Sequence, residues 1–117
     1  FIDYIDIEWS FRARALGYEL FVVPTTKLHH AIGDKRVSIF GRRVSLHSPK
    51  RRYYLTRNAL LMARLPYISR YYRLRELVLV FLRFVVMFAL AGDRRLVLKF
   101  FLSGLRDGIT GKGGELR

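Results

Sequence analysis

Phe1-Ile-Asp-Tyr-Ile-Asp-Ile-Glu-Trp9 opens the chain, and a histidine pair follows in Leu28-His-His-Ala-Ile-Gly33. Between them the sequence reads as a helix and then extended backbone. Asp6 or its neighbour caps a helix running to about residue 16, with Ile5, Trp9, Ala13 and Leu16 on one face and Arg12 and Arg14 turned away. Gly17 ends it as a C-terminal cap. Glu19-Leu-Phe-Val-Val23 is a short apolar run suited to a buried strand and stopped by Pro24, and residues 25–30 form a second extended stretch. Helix followed by strand implies an α/β sheet. In such a sheet, a carboxylate at a helix mouth and a histidine at a strand end meet at one edge, an acid/base group beside a metal ligand. The chain enters this pattern midway, without an initiator Met, and reads as the C-terminal piece of a longer enzyme.

Charge divides the 117 residues into two parts. Residues 1–34 hold five acidic and three basic side chains, whereas residues 35–117 hold four and nineteen, within a total net charge of +13. A near-neutral segment is thus followed by a basic one that should face an anionic partner, phospholipid or nucleic acid. The absence of cysteine excludes disulfides and thiolate metal sites. It is compatible with a cytoplasmic setting.

From Ala31 to Pro49 glycines, a proline and charges indicate a loop with one short strand near residues 37–40. Pro49 suits the first turn of a helix that continues to residue 65 and is broken by Pro66. Residues 74–91 are the most hydrophobic window, but the apolar core at 77–91 is fifteen residues with Arg83 near its centre, short of the roughly 20 needed to cross a bilayer. After Gly92-Asp93, residues 94–106 form another helix. The two helices are expected to make a hairpin lying in the membrane interface, followed by a flexible glycine-rich end at 108–114.

Phe1 to Tyr18, Phe21-Val-Val-Pro24, Lys27-Leu-His-His-Ala-Ile-Gly33 and His47-Ser-Pro-Lys-Arg-Arg-Tyr-Tyr-Leu-Thr-Arg-Asn58 together resemble the second half of a family 2 glycosyltransferase. The likeness is nearest to bacterial rhamnosyltransferases, and Ser103-Gly-Leu-Arg-Asp-Gly-Ile-Thr-Gly111 is similar to their tail. The resemblance implies a GT-A fold, an α/β architecture of which residues 1–48 would be the C-terminal part, followed at 49–117 by a basic, amphipathic helical tail. It also implies inversion at the anomeric carbon, with Asp6 as the general base that deprotonates the acceptor hydroxyl. Glu8 would lie near the acceptor, and His30 would help bind a divalent Mg or Mn ion on the donor diphosphate. Ile5 stands where many members carry a further acid.

Physical chemistry agrees with such roles. A hydroxyl is a poor nucleophile, and a positioned carboxylate that takes its proton contributes about 10² to 10⁴-fold. A departing nucleoside diphosphate gains negative charge that a metal ion can stabilise. Arg51, Arg52 and Arg57 at a helix start offer guanidinium groups to a diphosphate. On residue type alone, Asp6 is a helix cap, His30 a strand-end histidine, and the arginines a basic surface toward solvent or lipid. Trp9, Phe11 and Tyr18 are expected in the core, with stacking on a sugar face as the alternative for Trp9.

The expected function is therefore transfer from a nucleotide-diphosphate sugar, dTDP-rhamnose by the resemblance, to a glycan or lipid-linked acceptor. The enzyme would be peripheral at the cytoplasmic face of the inner membrane and held by anionic lipid. A non-enzymatic membrane-surface helical module is the competing reading. Nucleic acid is not expected as a partner, because residues 77–91 offer a duplex almost nothing polar.

Overall fold

The computed structural model describes residues 3–27, 35–39, 42–46 and 48–116, with the backbone alone for the two middle segments. Among these residues are four helices, α1 (Ile5–Ala15), α2 (Pro49–Ala63), α3 (Arg70–Leu90) and α4 (Arg94–Thr110). A single antiparallel hairpin, β1 (Lys35–Ile39) with β2 (Arg42–Leu46), pairs Val37 opposite Val44. The fold is helical, and the expected α/β sheet is overturned.

Residues 18–23 show why. The apolar run expected as a buried strand has no regular structure, and Phe21 and Val22 are 81% and 91% exposed. A strand needs a neighbour for its backbone N–H and C=O groups, and the described residues give this run none. Where one short strand is expected near 37–40, β1 lies at Lys35–Ile39 and is paired with a second strand, β2.

The helix boundaries follow local chemistry. Ser48 accepts the backbone N–H of Arg51, with Pro49 in the first turn of α2, and Ser69 does the same for Tyr72 at the start of α3. Asp93 caps α4 through the N–H of Leu96 at 2.9 Å. Gly17 follows α1 at φ 89°, and Gly111 closes α4 at φ 77°, conformations that cost a residue with a Cβ.

α4 packs chiefly against α2, not as an isolated hairpin with α3. Gly104 and Gly108 permit the approach: a Cβ on Gly104 would lie 2.8 Å from the Tyr53 carbonyl oxygen, and one on Gly108 2.7 Å from the Leu60 side chain. Across the seam, the buried Tyr53 hydroxyl donates to Asp107 at 2.8 Å. The buried Arg57 guanidinium donates to Asn58 Oδ1 at 3.0 and 3.1 Å and to the Gly114 carbonyl at 2.6 Å, and lies 5.3 and 5.0 Å from the Tyr53 and Tyr54 ring centres. Leu116 N–H donates to the Tyr54 hydroxyl at 3.0 Å. The C-terminal segment expected to be flexible is therefore helical to Thr110 and then bonded back onto α2.

The apolar core joins Tyr4, Ala59, Met62, Ile68, Val80 and Phe101. Burying a large side chain of this kind contributes about 1.5–3 kcal/mol. Phe84 of α3 stacks on Phe101 of α4 with centroids 3.9 Å apart, and Phe11 of α1 meets Tyr72 edge-on at 4.9 Å.

Two outcomes follow from this seam. Gly104→Ala should lower stability by about 1–3 kcal/mol through overpacking. Gly92→Ala, with nothing within 4 Å, should stay within about 0.5 kcal/mol of the parent; urea denaturation compares the two. The second concerns Asp107, whose pKa is lowered, first by the Tyr53 hydrogen bond and then by Arg106 against the opposing effect of burial. Its stabilisation is complete above the ordinary carboxylate pKa of about 4 and is lost as the pH falls from there through the lowered value. Tyr53→Phe should cost about 1–3 kcal/mol at neutral pH and flatten that acid loss, as read by denaturant midpoints between neutral and acid pH.

Candidate active site at the start of the first helix

α1 is entered through two residues with left-handed backbone, Asp3 at φ 65° and Tyr4 at φ 67°. For side chains with a Cβ this costs roughly 1–2 kcal/mol each, so other contacts must hold them. The Asp3 carboxylate accepts two bonds from the Arg51 guanidinium, Nε at 3.1 Å and Nη2 at 2.8 Å. The buried Tyr4 hydroxyl donates to Glu76 Oε2 at 2.9 Å, and Glu76 also meets Arg75 at 2.5 Å and Arg83 at 3.7 Å. Burial, followed by the charge of Glu76, pushes the Tyr4 phenol upward, so it remains a hydrogen-bond donor. The start of α1 is thereby fixed to the first turn of α2 and to α3.

One turn along, Glu8 accepts the Tyr67 hydroxyl at 2.5 Å and Arg12 Nε at 3.0 Å. The Tyr67 phenol is pushed up, first by this bond to a carboxylate. Glu8 shares an open cleft of about 430 Å³ with Tyr4, Leu61, Met62, Arg64, Leu65 and Gly111.

Asp6 is placed differently. It lies in the first turn of α1, not at the cap position, which belongs to Tyr4. Its side chain is exposed and, among the described residues, its carboxylate has no hydrogen-bond or ion-pair partner; only its backbone carbonyl is engaged, by Ser10. The positive end of the helix dipole favours an anion there. Trp9, three residues on, shares this side of the helix and is 55% exposed instead of buried. It lines a cleft of about 270 Å³ with Tyr18 and Leu20. Tyr18 is exposed as well; of the three aromatics expected in the core, Phe11 alone is half-buried.

The three arginines of α2 are separated. Arg51 and Arg57 line an open cleft of about 590 Å³ with Ser48, Lys50, Tyr54, Gly114 and Glu115. Within it Arg51 holds Asp3, while Arg57 supports Asn58 and the C-terminal segment. Arg52 lies away from that cleft, beside Val80, Phe84 and Phe101 of α3 and α4. His30 lies outside the described residues, and so does its expected approach to Asp6. Among the described residues no three His, Cys, Asp or Glu side chains assemble into a metal site.

Asp3, Tyr4, Tyr67 and Glu76 were not legible as supports of the site. Their partners lie 48 to 72 residues away in sequence, and non-glycine residues give no local sign of a left-handed turn.

Comparison with known proteins finds a relative for the chain. It is similar to the dTDP-rhamnosyl transferase RfbF of Shigella flexneri, 37% identical over 114 residues, which is 97% of this chain and 38% of that protein. The chain spans well under half the length of that relative. No family model matches it, and no solved structure matches it.

If Arg51 holds the entry to α1, Arg51→Ala should release the left-handed turn locally. Amide hydrogen exchange at Glu8 and Trp9 should quicken, while the global unfolding free energy falls by only about 1 kcal/mol or less, as for a partly exposed ion pair.

Proposed function

We propose that this chain carries the acceptor-activating part of an inverting family 2 glycosyltransferase that moves rhamnose from dTDP-rhamnose to a glycan or lipid-linked saccharide. The single observation that carries the reading is an exposed carboxylate, without a partner among the described residues, on a braced helix start, in a chain similar along almost its whole length to a dTDP-rhamnosyl transferase.

In this mechanism Asp6 accepts the proton of the acceptor hydroxyl as its oxygen attacks the anomeric carbon from the face opposite the diphosphate. The new C–O bond forms, the bond to the diphosphate oxygen breaks, and the nucleoside diphosphate leaves with the electron pair. Inversion follows from attack on the opposite face. Trp9 and Tyr18 offer apolar ring faces to the acceptor sugar. Glu8, held by Tyr67 and Arg12, orders the helix turn beside the acceptor. Lys50 and Arg51 bring positive charge to the cleft at the start of α2, where a helix N-terminus favours phosphate.

Asp6→Asn in the full polypeptide as the cell makes it should lower kcat about 10² to 10⁴-fold, with binding of dTDP-rhamnose and the unfolding midpoint unchanged. Activity assays, calorimetry and denaturation read the three quantities. Retained turnover would remove Asp6 from the role of base.

A further inference from the structure

α3 is covered on one side only. Glu76, Val80 and Met87 are buried, whereas large apolar side chains on the opposite side meet solvent. Leu74, Val78, Phe81 and Val85 are 66%, 48%, 58% and 46% exposed. Their spacing at i, i+4, i+7 and i+11 makes one continuous stripe, and Leu82 and Leu90 widen it. Contiguous apolar surface of this kind marks an interaction site.

The charges around the stripe identify its partner. Of the three acidic residues between positions 70 and 110, Glu76 and Asp107 are buried and bonded to Tyr4 and Tyr53, and Asp93 is engaged as the cap of α4. Apart from the half-buried Arg73, the basic side chains of this span are at the surface. Arg70 and Arg75 are exposed at the N-terminal end of the stripe, and Arg94, Arg95 and Lys99 are exposed just beyond its C-terminal end. Arg94 is held near α3 by the face of Phe88, 5.9 Å from the ring centre. The apolar stripe therefore has a cationic rim at both ends.

We propose that this face of α3 seats on an anionic phospholipid surface, with the stripe at the acyl boundary and the arginines among the headgroup phosphates. A second copy fits poorly, because it would bring two cationic rims together on molecules that each carry a net charge of +13. A nucleic acid would meet an apolar stripe with nothing to bond to its bases. A bilayer surface satisfies both features, apolar contact and phosphate pairing. The helix lies on the membrane rather than through it: among the described residues no helix is long and apolar enough to cross one. The inference does not depend on sugar transfer.

Co-sedimentation of the full chain with vesicles tests it, using phosphatidylcholine alone and an equal mixture with phosphatidylglycerol. Binding should be at least about tenfold tighter to the anionic vesicles and should weaken in high salt. Substituting Arg94→Gln and Arg95→Gln together should weaken it about 10- to 30-fold. Phe81→Ser with Val85→Ser should weaken binding to both vesicle types by about tenfold or more, at an unchanged thermal midpoint because both side chains are exposed. Equal binding to both vesicle types, or no binding to either, overturns the proposal. So does a dimer in sedimentation equilibrium that the Phe81 and Val85 pair abolishes while vesicles leave the protein unbound.

Discussion

The close approach of α4 to α2 organises the other contacts. Two glycines one turn apart bring the helix surfaces together, and the Tyr53–Asp107 bond and the Arg57 guanidinium complete the seam with buried polar groups that satisfy one another. Polar groups removed from water are costly unless paired. The seam therefore fixes the rotation and register of α4 more narrowly than apolar contact alone would. Arg57 also carries the C-terminal segment through Gly114, so one buried cation ties that segment to α2.

α1 depends on that platform. On its own it is a short helix entered through two unfavourable backbone conformations, and isolated helices of this length are marginal. Asp3 on Arg51 and Tyr4 on Glu76 convert this into a fixed element, one contact at the first turn of α2 and the other on α3. The consequence for chemistry is geometric. Asp6 inherits the rigidity of its neighbours while its own carboxylate stays open to solvent. Glu8, two residues on, is turned to another side of the helix and is taken up by Tyr67 and Arg12. Two carboxylates that look alike in sequence thus occupy unlike settings.

The distribution of acids supports a common reading of the two ends of the molecule. On α3 and α4 the carboxylates are buried or used as caps, leaving basic groups outside. On α1 the acids are toward solvent or half-buried. A chain with an anionic site at one helix and a cationic, apolar face at another can meet a neutral hydroxyl and a phospholipid surface with different parts of itself.

The sequence by itself marked the helices where their signals are local: Pro49 after Ser48, Asp93 before α4, and the glycine at 17. It also marked Asp6 and Trp9 as residues to watch, and the short strand near 37–40. Only the tertiary structure decided which surfaces are buried. Residues 19–23 have the composition of a strand, but a strand exists only with a neighbour to bond, and local apolarity does not supply one. The arginines of α2 read as a single cluster because they are close in sequence, yet Arg52 lies beside α3 and α4 while Arg51 and Arg57 line the cleft at the start of α2. The supports of Asp6 were invisible for the same reason: Asp3 finds Arg51 and Tyr4 finds Glu76 across long separations, and such pairings are set by packing, not by local propensity.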